Sequence, residues 1–210
     1  MSNKWLFLRV SLLVILPIFS QAQKSEAQLF GLLHPAKPER QQSLMGGGYL
    51  LLVGGADVGF AGQLRYGAGQ NFDLGGKLGF LTEGEGGLML GGDLLGQIVH
   101  SGAKSPFNFS LDGSFEVFLE ENVTILGISG TGIIDDVIKL ENGKNLQPYG
   151  ALALDIVNVD EGVVSDTDPE ITLVGGIVYE LSPQMDFLGE IQISSLSDAE
   201  LGLNVGLNFR

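Results

Sequence analysis

The sequence predicts an all-β chain: a closed, antiparallel, up-and-down β-barrel of about ten strands, with eight as the alternative count. Three observations predict it. From Gly46 onward, apolar residues recur at every second position and never with a helical period. Glycine makes up 32 of the 210 residues without a G-X-Y repeat, which suits tightly curved sheet and excludes collagen. The last stretch alternates most plainly. Leu201, Leu203, Val205, Leu207 and Phe209 share one face, and Gly202, Asn204, Gly206 and Asn208 share the other.

The elements follow in order. Residues 1–22 read as a secretory signal: Lys4 is basic, Trp5 to Phe19 is apolar apart from Arg9 and Ser11, and Ser20-Gln21-Ala22 is a small-x-small cleavage site. Residues 23–45 are polar, carry Pro35 and Pro38, and are expected to form a periplasmic linker, the segment being short for the alternative, a plug inside the barrel. Residues 46–210 form the barrel. Its strands are expected at about 47–54, 58–66, 72–81, 87–99, 107–118, 123–134, 147–157, 171–181, 185–193 and 199–209. Gly/Asn or Pro/Ser turns fall at Gly67–Asn71, Ser101–Pro106 and Ser182–Gln184. The longest loop, Asp160 to Asp168, is acidic.

Strands of this length cross a bilayer when tilted, which takes roughly 9–11 residues. Mean hydropathy is +0.26, modest as alternating strands require. With up-and-down strands and both termini on one side, the aromatics Tyr66, Phe72, Phe107, Tyr149, Tyr179, Phe187 and Phe209 gather at one end. That is the pattern of an interfacial girdle. Phe60, Phe80, Phe115 and Phe118 fall nearer the other rim.

The terminal strand and phrases such as LRYGAGQNFDLGGKLGF resemble those of small bacterial outer-membrane β-barrels. The resemblance covers most of the mature chain, from Gly46 to Phe209. It implies a Gram-negative outer-membrane location, contact with outer-membrane lipid, and insertion by the barrel assembly machinery. That machinery would read Leu203, Val205, Leu207 and Phe209, although here Arg210 follows the aromatic. The alternative is a soluble secreted barrel that binds a small apolar ligand, with its apolar face inside.

Composition excludes several activities. Cysteine is absent, so disulfides, thiolate metal sites and cysteine nucleophiles are out. Net charge is −14, and losing Lys4 and Arg9 with no acidic residue makes it −16, which repels nucleic acid. The two histidines are His34, in the linker, and His100, at the periplasmic end of the fourth strand. Omptin-type surface proteases place a histidine and acidic pairs at the outer rim, so His100 lies at the wrong end. Gly127 to Gly132 reads GISGTG but no helix follows, so it is not a phosphate loop. No catalytic, cofactor or metal site is expected, and no enzyme.

The polar face is more informative. Arg65, Asp73, Lys77, Asp93, Asp112, Glu116, Asp155, Glu180 and Glu190 all fall on it and are expected to face the lumen. A barrel this narrow is largely filled by side chains. These charges make either a paired structural core or a narrow, cation-favouring pore. The sequence leaves the oligomeric state and any transported species open.

Overall fold

The computed structural model describes residues 30–53, 57–82, 86–102, 105–121, 123–160, 165–194 and 201–210. The expected signal segment therefore lies outside the described residues, as do 23–29 of the expected linker and 161–164 of the acidic loop. The strands are β1 (Leu44–Val53), β2 (Asp57–Tyr66), β3 (Phe72–Leu81), β4 (Gly87–Val99), β5 (Asn108–Leu119), β6 (Thr124–Asp135), β7 (Ile138–Lys139), β8 (Asn145–Asp160), β9 (Ser165–Ser182), β10 (Met185–Ser194) and β11 (Leu201–Phe209). No helix occurs among the described residues.

Each strand pairs antiparallel with the next, except that β6 skips the short β7 and pairs with β8, against which β7 also lies. The ring closes where β1 meets β11, in a register that runs from Gly46 opposite Phe209 to Leu52 opposite Leu203. Ten strands thus form a closed up-and-down barrel, and β7 is a two-residue extension at one mouth. Closure removes the sheet edges, which in hydrocarbon cost several kcal/mol for each unpaired backbone group.

The reason these residues form this wall is legible on β5. Asn108, Ser110, Asp112, Ser114, Glu116 and Phe118 point inward and are buried, whereas Leu111, Phe115 and Leu119 are exposed on the outside. The same alternation exposes Leu74, Leu78 and Phe80 on β3, Leu88, Leu90 and Leu94 on β4, and Leu152, Leu154 and Ile156 on β8. Leu154, near the middle of its strand, is 60% exposed.

The structure corrects three expectations. Tyr149 and Phe118, expected with the rim aromatics, both turn inward and are buried; their positions share the parity of the lumen face. The acidic stretch 160–168 is mostly not loop. β8 runs to Asp160 and β9 begins at Ser165, and the two continue pairing from Asp160–Ser165 through Val157–Asp168. Acidic residues at exposed strand ends still satisfy their backbone in a hairpin, so composition alone misplaced the boundary. The third correction has the largest consequence. Residues 30–40, read as part of a linker outside the barrel, run inside it.

Candidate functional site: the occupied lumen

The interior segment enters at the mouth that holds both ends of the barrel. There Ser43 N–H donates to Arg40 O at 2.9 Å, and Gly67 N–H donates to Ser43 O at 3.0 Å. From that mouth the chain, followed toward its N-terminus, climbs to Phe30. Phe30, Leu32, Leu33, His34 and Ala36 are all buried. Phe30 lies against the backbones of Gly79 and Gly91: a Cβ on Gly79 would collide with the ring, and one on Gly91 would crowd it.

A chain without strand partners must find other partners for its backbone. Here the wall's polar side chains supply them. Glu190 accepts from Leu32 N–H at 3.0 Å and from Leu33 N–H at 2.9 Å. Gly31 and Leu33 both have positive φ, +73° and 60°. Such turning backbone aims successive N–H groups at one anion. A Cβ on Gly31 would also run into Asn204 and Glu190. Lys77 Nζ donates to Gly31 O at 2.8 Å, and Asn204 Nδ2 to Phe30 O at 3.3 Å. Ser110 Oγ donates to Ala36 O. Asp135 accepts from Lys37 N–H at 2.9 Å, and Asp73 accepts from Glu39 N–H at 2.8 Å.

The nine residues expected on the lumen face divide among four places. Arg65, Asp73, Lys77, Asp93, Asp112 and Glu116 form one buried cluster on β2 to β5. Arg65 pairs with Asp73, and with Asp93 at 2.7 Å. Lys77 lies 4.0 Å from Asp93 and 3.7 Å from Glu116. Asp155 stands apart, bonded to Ser129 and to Thr172 Oγ1, the latter at 2.8 Å. Glu190 holds the interior segment and also accepts from Tyr149 Oη at 2.6 Å and Asn204 Nδ2 at 3.0 Å. Glu180 is only half-buried, near one mouth, and accepts from Asn145 Nδ2 at 2.6 Å.

On the terminal strand, Asn204 and Asn208 are buried inside, whereas Leu201, Leu207 and Phe209 are exposed outside and Leu203 and Val205 are half-buried. Arg210 folds back at the mouth, 2.8 Å from Asp186 and 3.6 Å from Glu39 of the interior segment. His100 is exposed and bonds Asn71 at 3.1 Å.

Sequence reasoning sets the interior segment aside as short for a plug, and with it misses the places of His34 and Asp135. A signal was present: FGLLHPA is an apolar run inside a stretch taken to be solvated. Charges inside and aliphatic side chains outside invert the arrangement of a soluble barrel, whose exterior must meet water. This is the architecture of a transmembrane β-barrel.

No protein-family model matches the chain, and no curated protein matches it. Among solved structures, it is similar to the N-terminal barrel domain of Pseudomonas aeruginosa OprF, at 10% identity and a TM-score of 0.40, covering 81% of this chain and 98% of that one. The KdgM porin gives 7% identity and 0.43, covering 79% and 98%. The β-domain of the Bordetella autotransporter BrkA gives 11% and 0.44, covering 79% and 98%. At TM-scores below 0.5 these likenesses add nothing about function, and the fold stands on its own strand pairing.

Proposed function

We propose that this protein is an outer-membrane β-barrel whose lumen is closed by its own residues 30–40, serving as a membrane-embedded structural protein without enzymatic activity. The observation that carries this reading is the sorting of the two faces: an apolar outer belt on every barrel strand, with Arg65, Asp73, Lys77, Asp93, Asp112, Glu116, Asp155 and Glu190 turned inside. Such a wall is stable only in hydrocarbon. The apolar-ligand barrel is disfavoured, because the space it would need is lined by Arg65, Asp93, Asp112 and Glu116 and filled by chain. Channel activity belongs to a second state of the same wall. With the segment displaced, the acidic excess of the lining would favour cations. Fractionation of the native cells, with unboiled and boiled gels of the detergent-purified protein, tests the proposal. The expected result is outer-membrane recovery and a band that shifts on boiling. Recovery in the soluble periplasmic fraction would overturn it.

A further inference from the structure

Inside the barrel, one side chain of the interior segment faces two carboxylates of the wall. His34 Nδ1 lies 3.1 Å from Pro35 O. A carbonyl oxygen can only accept, so Nδ1 carries the proton and the Nε2 lone pair is bare in the neutral ring. That nitrogen stands 3.9 Å from Asp93 Oδ1 and 3.8 Å from Asp112 Oδ2. These separations are too long for hydrogen bonds. All three side chains are at least nine-tenths buried. His34 Nε2 and Asp112 Oδ2 have no hydrogen-bond partner. Buried polar atoms left in this state are costly, so two bare acceptors converging beside Asp93 Oδ1, which Arg65 Nη1 approaches at 2.7 Å, need an explanation.

We infer that His34, Asp93 and Asp112 form a binding site for one divalent first-row transition ion, such as zinc, that fastens the interior segment to the barrel wall. The donor atoms lie within 4.8 Å of one another. Around zinc, N and O donors at about 2.0–2.2 Å sit roughly 3.3–3.6 Å apart in tetrahedral geometry. The two histidine–carboxylate gaps exceed this by only a few tenths of an ångström, and rotation of the two carboxylates about a bound ion would complete three positions. One imidazole with two carboxylates suits zinc, iron or manganese better than magnesium.

The surrounding charge agrees. Asp73, Asp93, Asp112 and Glu116 oppose Arg65 and Lys77, leaving two negative charges when all four carboxylates are ionised and His34 is neutral, and one divalent ion holds them in that form by cancelling them. Arg65 and Lys77 are the cations facing the site, and both are engaged by carboxylates or by Gly31 O. The ion would join β4 and β5 to a segment that otherwise hangs on hydrogen bonds. The inference rests on the segment's seat in the lumen and is independent of which membrane holds the barrel.

The test refolds the full chain in detergent with zinc present, so that the closed site is filled as it forms, and then removes free metal. Bound zinc is measured by atomic emission, and the boiling-sensitive band reports folding. The expected result is one tightly held zinc per chain and a raised melting temperature, neither reproduced by magnesium. His34→Gln and Asp112→Asn should each fold and lose zinc affinity at least about tenfold, a loss that even supporting partners of a metal ligand can cause. His100→Ala should bind as the parent does. If both site variants fail to fold, X-ray absorption of the loaded parent should still show an imidazole in the zinc shell. A folded parent without stoichiometric zinc, undiminished binding in folded His34→Gln, equal binding of magnesium, or a shell without imidazole would each overturn the inference.

Discussion

The barrel wall and the segment inside it are both buried backbone, yet they are held in opposite ways. Wall strands exchange hydrogen bonds with neighbouring strands in regular registers such as Gly46–Phe209 to Leu52–Leu203. Their side chains are left free to sort by face. Residues 30–40 have no strand neighbour, and the lumen's side chains bond their backbone instead: Glu190, Lys77, Asn204, Asp135 and Asp73. The difference teaches that the lumen charges have two jobs. Some neutralise one another, as Arg65 does with Asp73 and Asp93. Others act as the missing half of a backbone ladder.

The largest effect expected from breaking this comparison is on the wall's outer face. Leu154→Lys places a charge toward lipid near the middle of β8, at a cost of roughly 2–4 kcal/mol. It should abolish the boiling-sensitive band, while Asp155→Asn, one residue along and facing inward, should keep it. Folding of both to the same yield would contradict the assignment of faces.

Next comes the segment's anchor. Glu190→Ala removes the carboxylate from two backbone N–H groups and from Tyr149. Each orphaned buried donor costs about 1–3 kcal/mol. The barrel should still form, because no wall ladder is touched, but residues 30–40 should become cleavable by added protease. Continued protection would mean that the other wall contacts suffice. A smaller effect is expected at the mouth. Arg210→Ala removes contacts to Asp186 and Glu39 from a half-exposed side chain, so the loss should be about 0.2–1 kcal/mol. A melting temperature lowered by more than a few degrees would mark Arg210 as a true clasp.

The same contrast explains what could be read in the sequence. The ends of β3 and β4 coincide with the expected 72–81 and 87–99, because alternation is a local consequence of one wet and one greasy face. Eight of the nine expected lumen charges are buried for the same reason, and Glu180 differs because it lies near a mouth. His34 could not be placed that way. FGLLHPAKPER has no period, since its conformation is dictated by wall side chains far along the chain, such as Glu190 more than 150 residues away. The inward turn of Tyr149 was hidden differently. Its parity pointed inside, but its position near a strand end suggested a membrane girdle.

On the proposed reading, residues 30–40 close a lumen that the wall alone would leave lined with charge. Planar-bilayer recording of the intact chain beside a chain lacking residues 30–40 tests it most directly. Both should insert; the intact protein should stay silent, and the shortened one should conduct with a preference for cations. Equal conductance from the two would contradict it.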